Sequence, residues 1–250
     1  MEESTMTTNS KTALITGGSS GIGLDAARGF LEEGYNVVIG GRNEDKLKQA
    51  IKTLGNEDRT AYVAGNIGEP ETGNKLVQLA IERFGGVDVL VNNAGIFGLK
   101  PFMENTEEDL DQYINGNLKG TYFVSQAAVK QMKKQGGGSI VNIGTVLVMH
   151  PSASIPASAA LITKGGVHAL TTSLASELAA DNIRVNAVAP GVVRTPLYGD
   201  ADVDAFGGIA LMNRVGEVEE ITDAILHLAT ANFTTGVILP VDGGYVHGRA

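Results

Sequence analysis

The sequence predicts an α/β fold, a doubly wound parallel sheet of about seven strands with helices on both faces. Three observations predict it. Short β-branched runs alternate with segments of helical period from one end of the chain to the other. A glycine-rich turn joins the first of those runs to the first helical segment. No linker interrupts the series, so residues 11–250 read as one domain behind a flexible tail at 1–10.

The expected strands are 12–16, 36–39, 60–64, 87–91, 139–143, 183–188 and 237–241. Between them, Ile22, Ala26, Phe30 and Leu31 share one helix face, as do Leu47, Ile51 and Leu54, and later Ile221, Ile225 and Leu228. Pro70 suits the first turn of another helix, where its missing N–H costs nothing. The stretches 120–135 and 157–180 are helical and rich in alanine and small polar residues, which permits close helix packing or a subunit interface. Residues 197–213, rich in glycine and aspartate, lack sustained periodicity and read as a loop of the kind that forms lids.

Composition narrows the function. The 250 residues are 43% hydrophobic, with 33 glycines against 7 prolines, which suits a globular fold with many tight strand-to-helix turns. Nineteen basic against 28 acidic residues leave a net charge of −9. That balance argues against nucleic acid or an anionic membrane as partner. No cysteine is present, which removes disulfides and thiolate chemistry, and the four histidines form no pair at zinc-ligand spacing, so no metal is expected. The polar N-terminal stretch and the lack of a long apolar run point to a cytoplasmic setting.

The turn Gly17-Gly18-Ser19-Ser20-Gly21-Ile22-Gly23 lies between a strand and a helix. Glycines there let backbone approach a ligand closely, and the unpaired N–H groups of the helix start suit a pyrophosphate, as in a Rossmann-type dinucleotide site. Gly17-Gly18-Ser19-Ser20-Gly21 also fits the Gly-x-Ser-x-Gly elbow of α/β hydrolases, with His227 or His247 as partner, although the first strand is an unusual place for that elbow.

Further motifs follow in order: Asn92-Asn93-Ala94-Gly95, Asn117-Leu118-Lys119-Gly120, Pro190-Gly191-x-Val193-x-Thr195, Arg214-Val215-Gly216 and Val241-Asp242-Gly243-Gly244. With Thr16-Gly17-x-x-x-Gly21-Ile22-Gly23 they cover nearly the whole chain, which resembles the short-chain dehydrogenase/reductase family. The resemblance implies that Gly17, Ser19, Ser20, Gly21, Ile22, Gly23, Asn93, Ala94, Gly95, Pro190, Gly191, Val193 and Thr195 hold a nicotinamide dinucleotide. Asn66 and Ile67 match its adenine-contacting position, with asparagine where aspartate is usual. It further implies a carbonyl or alcohol as small-molecule substrate and a homo-oligomer, tetramer or dimer.

Family members that use NAD carry an acid where Gly41 falls. Here Arg42 follows instead, and its planar guanidinium can pair with a 2′-phosphate, so NADP(H) is favoured over NAD(H).

Hydride transfer to a carbonyl leaves an alkoxide, so the site needs a proton donor and groups that hold the developing oxyanion. By resemblance, Asn117 bends its helix and holds a relay water, Thr145 stands in the serine position, and Lys164 binds the nicotinamide ribose. The family's tyrosine precedes that lysine by one helical turn, and Ala160 occupies the position. Three replacements are open: His150 after Thr145, Ser154 or Ser158 near the helix start, and Tyr198 in the lid. His150 ranks first because imidazole exchanges protons near neutral pH. His168, one turn past Lys164, reads as a packed or interface histidine. The alternative to an oxidoreductase is a cofactor-binding pseudoenzyme that senses or scaffolds.

Overall fold

The computed structural model describes residues 10–248, so the tail expected at 1–10 lies, save for Ser10, outside the described residues. The chain runs β1 (Thr12–Thr16), α1 (Gly21–Glu32), β2 (Asn36–Gly41), α2 (Glu44–Leu54), β3 (Thr60–Ala64), α3 (Pro70–Phe84), β4 (Val89–Asn92), α4 (Glu107–Tyr113), α5 (Gly120–Gln135), β5 (Gly138–Ile143), α6 (Ser158–Glu177), β6 (Ile183–Pro190), α7 (Val218–Thr230) and β7 (Ile238–Val241). The strands form one sheet in the order β3-β2-β1-β4-β5-β6-β7, and every neighbouring pair is parallel. The order reverses between β1 and β4. Their carboxyl ends therefore flank the crevice where ligands of such sheets bind.

The central strands are largely apolar on both sides because each side meets helices. Ala13, Ile15, Val37, Ile39, Val89, Val91 and Val141 pack with α1, α2 and α7, whereas Leu14, Val38, Leu90 and Ile140 pack with α3, α5 and α6. Polar side chains tie the middle strands to their helices. Asn92 donates to Ser125 Oγ at 2.8 Å and to Asn142 Oδ1 at 2.9 Å, and Asn142 donates to Thr171 Oγ1 at 2.9 Å. Buried amides so paired hold the ends of β4 and β5 in register beneath the site.

The pattern-based strands match closely. β2 extends to Gly41 because Gly40 and Gly41 pair with Val63 and Ala64 of β3. β4 begins later than the apolar run suggests, since the Val87 N–H is taken by the Gln135 side chain at 3.3 Å. The stretch expected as a loop at 197–213 contains two short 3₁₀ turns, Pro196–Tyr198 and Val203–Ile209. Arg194 holds the second by a bidentate pair to Asp204 at 2.6 and 3.1 Å.

Candidate active site

The glycine turn and the start of the loop after β4 are locked face to face. Asn93 donates from Nδ2 to the carbonyls of Thr16 at 3.0 Å and Gly17 at 3.1 Å, while Thr16 Oγ1 accepts from the N–H groups of Asn93 at 3.1 Å and Ala94 at 3.0 Å. The glycines are what permit this. Gly17 sits at φ +67° with its Cα turned to Asn93 and Ala94, and a Cβ on Gly23 would overlap the Gly17 carbonyl. The Gly18 Cα abuts Ile39, which seats the turn on the sheet.

α1 begins at Gly21 with Ser20 as its extended N-cap residue, no side-chain cap and no acid in its first turn. The Ser19 and Ser20 hydroxyls make no protein hydrogen bond among the described residues, and Ile22 is half-buried on the helix that follows. A helix start left with free donors and no negative charge fits an anionic pyrophosphate. Thr195 lies against the same turn, its Cβ 3.4 Å from where a Gly21 Cβ would stand. Its loop is seated by Gly191 N donating to Val241 at 3.0 Å beyond Pro190, and by the pairing of Val193 with Gly216.

At the ends of β2 and β3, Arg42 is exposed and has no protein partner among the described residues. Asn66 is exposed, with Oδ1 accepting from Gly68 N at 3.1 Å. Ile67 turns its side chain into the core, filling the space left by Gly120 at the head of α5.

Asn117 is buried in a π-helical turn, Ile114–Lys119, between α4 and α5. The bend expected of its helix is this one wide turn. Its Oδ1 accepts from Ile96 N at 2.7 Å, and its Nδ2 donates to Ile96 O and to Thr163 Oγ1, both at 3.0 Å. Gly95 has no side chain where Asn117 Oδ1 and Lys164 Nζ converge, at 2.9 and 3.3 Å from a would-be Cβ. Asn117, Gly95 and Lys164 are thus brought together.

Lys164 is buried, 8% exposed. The lysine reaches across from α6 and donates to the Ile143 carbonyl at 2.6 Å. Burial pushes its pKa down to about 8. Thr145 follows the next residue and caps a 3₁₀ turn, Val146–Val148, with Oγ1 accepting from Leu147 N at 3.3 Å. His168 is the packed histidine expected, and its Nε2 faces Thr145 N at 3.4 Å.

The position of the absent phenol, Ala160, is 1% exposed. Each candidate replacement has its own surroundings. His150 is exposed, its ring edge-on to Tyr245 at 5.6 Å, and its carbonyl accepts from the Tyr245 hydroxyl at 3.1 Å. Ser154 is paired with Ser152 at 2.9 Å, and Ser158 begins α6. Tyr198 lies beside Phe206, and burial raises its pKa. Sequence reasoning passed over the Thr16–Asn93 lock and the Ile143 carbonyl. The first could be suspected from the two motifs; a backbone acceptor has no sequence signal.

Residues 11–204 match the family model described as short chain dehydrogenase. Over 95% of this chain and 98% of its own length, a 3α-hydroxysteroid dehydrogenase of Mediterraneibacter gnavus is 37% identical. A 3-oxoacyl-[acyl-carrier-protein] reductase of Thermotoga maritima is 38% identical over 94% and 98%. The crystal structure of a short-chain type dehydrogenase/reductase from Mycobacterium marinum superposes with a TM-score of 0.90 at 31% identity, covering 95% of this chain and 96% of that one. Among the described residues no helix is long and apolar enough to cross a membrane. The glycine turn locked to Asn93, the lysine reaching under the end of β5 and the matched relatives lead to one conclusion: the chain belongs to the short-chain dehydrogenase family of oxidoreductases.

Proposed function

We propose that the protein transfers hydride between NADP(H) and a carbonyl or secondary alcohol. The observation that carries this reading is the convergence of Asn117, Gly95 and Lys164 beside Thr145 at the ends of β4 and β5. A nicotinamide cofactor, when bound, supplies or accepts the hydride. The chain's own residues do the rest. The glycine turn and the uncapped start of α1 bind the pyrophosphate, Asn93, Ala94 and Gly95 seat the nicotinamide end, and Thr195 closes over it from the β6 loop. Asn66 and the backbone of Ile67 flank the adenine. Unpaired Arg42 supports the preference for NADP(H), because a free guanidinium at the end of β2 offers a 2′-phosphate a charge-assisted pair.

The Thr145 hydroxyl donates a hydrogen bond to the substrate oxygen while keeping its own proton, with one lone pair already occupied by the Leu147 N–H. Lys164 holds the nicotinamide ribose, and its charge favours the oxyanion that hydride transfer creates. His150 delivers the proton that the missing phenol cannot; its ring packs edge-on against Tyr245, but among the described residues neither ring nitrogen has a hydrogen-bond partner, which leaves both available. Leu99, Phe102 and Met103, 53%, 76% and 88% exposed, support assembly into a dimer or tetramer through this edge.

A second reading, a pseudoenzyme that binds cofactor without turnover, is favoured by Ala160 alone. Titration of NADPH and NADH followed by turnover on a panel of ketones and secondary alcohols separates the two. Tight NADPH binding with reduction of any ketone supports the first reading. Binding with no turnover across the panel, in both directions, supports the second.

A further inference from the structure

We infer that His168 is a positioning residue, holding the Thr145 peptide so that the Thr145 hydroxyl meets the reacting oxygen; the inference rests on the oxidoreductase reading above. Two side chains one turn apart on α6 grip the end of β5 from either side of Gly144. Lys164 donates to the carbonyl of Ile143 at 2.6 Å, and His168 Nε2 faces the N–H of Thr145 at 3.4 Å. The Gly144 N–H is itself held by the Val188 carbonyl of β6 at 2.8 Å. Three consecutive residues are thus pinned through their backbones at the place where the strand becomes the loop that carries Thr145.

The fit between Gly144 and His168 is specific. A Cβ on Gly144 would overlap Nε2 of the imidazole, so the ring can occupy this place only beneath a glycine. A leucine would fill a core as well, but it offers nothing to an N–H. The imidazole is 7% exposed, and burial together with the Lys164 charge pushes its pKa down to about 4. It is therefore neutral at physiological pH. With Nε2 accepting, the proton sits on Nδ1. Without this acceptor the Thr145 N–H would be orphaned at the strand end, and the peptide could rotate, swinging the hydroxyl that the reaction needs.

The test uses the full chain as the parent, His168→Leu and His168→Gln, because glutamine can place an amide oxygen near the Nε2 position. Amide hydrogen exchange at Thr145 is followed by NMR, and kcat and KM are measured on the best ketone of the panel. In His168→Leu, exchange at Thr145 rises about tenfold and kcat falls about five- to tenfold, with NADPH affinity unchanged. His168→Gln restores both to within about twofold of the parent. Unaltered exchange in His168→Leu overturns the inference, as does faster exchange with unaltered kcat. A parent without turnover overturns the oxidoreductase reading instead, and the exchange rate still decides whether His168 holds Thr145. If His168→Leu fails to fold, the tautomer of His168 in the parent decides: a proton on Nδ1 at pH 7 supports the inference, and one on Nε2 overturns it.

Discussion

Lys164 Nζ donates to the carbonyl oxygen of Ile143 at 2.6 Å, which binds the ammonium of α6 to the last residue of β5. The pair keeps the lysine under the strand end that leads to Thr145. A group aimed by its own fold before any ligand arrives loses little freedom when it acts. Lys164→Ala is expected to weaken NADPH binding and to reduce turnover by at least ~10²-fold, measured by titration and by single-turnover kinetics. Binding and turnover like the parent's would show that the lysine serves another purpose.

The same burial has a stability signature. Holding the Lys164 pKa at about 8 in the fold, below its ordinary 10.5, means that the unfolded chain binds the proton more tightly. The contribution of this group to stability therefore rises with pH between about 8 and 10.5, and its penalty is full below 8. Lys164→Met removes the penalty at the expense of one hydrogen bond. It is expected to be more stable than the parent at pH 7 by about 1–3 kcal/mol, a gain that shrinks steadily towards pH 10.5. Urea melts of both proteins across that range would check it, and a gain independent of pH would contradict the burial.

Thr16 Oγ1 accepts from two backbone N–H groups, those of Asn93 and Ala94. Thr16→Val keeps the shape and removes the acceptor, leaving both donors without it beneath the glycine turn. A loss of about 2–3 kcal/mol is expected, together with weaker binding of NADPH and NADH alike, because the turn and the loop after β4 would part. Chemical denaturation and cofactor titration measure the two effects. Neither should appear if the lock is incidental.

A guanidinium at position 42 can tell the two cofactors apart only through the 2′-phosphate. Arg42→Ala should narrow the preference for NADPH over NADH by roughly 1–3 kcal/mol while leaving NADH affinity nearly unchanged. Equal affinities for both cofactors in the parent would remove the assignment at once.

Ala160 stands one turn before Lys164 and is 1% exposed. A tyrosine placed there would bring a phenol to the face of α6 that carries the lysine, whose charge lowers the phenol pKa. Where Thr145 and Lys164 already form the rest of the relay, Ala160→Tyr should raise ketone reduction by up to ~10²–10⁴, at a packing cost of about 1–3 kcal/mol. An active parent that loses turnover in this variant would show that the donor, His150 on the present reading, works in the space the ring fills. No change in turnover or in substrate binding would show that Ala160 does not face the site.

Much of the fold was legible in the chain because parallel strands covered on both faces must be apolar throughout, and helices must show a 3.6-residue period. The runs around Leu14, Val38, Leu90 and Ile140 carry the first signal, and Ile221, Ile225 and Leu228 the second. The glycine turn was legible for a steric reason, since Gly17 and Gly23 occupy places that no Cβ can. The segment 102–113 gave no sequence signal, because α4 begins from a local capping box between Thr106 and Asp109 and buries too little to show a period.

By itself the sequence determined the sheet and the strand-to-helix turns, which follow from side-chain chemistry and spacing along one element, and it showed the alanine at position 160; Asn117, Thr145 and Lys164 were singled out by the resemblance of their flanking motifs to the family. Tertiary structure alone decided that Lys164 is buried and bonded to Ile143, that Asn93 locks the glycine turn, and that the Gly144 backbone makes room for His168. The reason is that each of these contacts joins residues distant in sequence, and in each one partner is a backbone group. Every residue type but proline carries the same N–H and C=O, so only the path of the chain can say which side chain finds them.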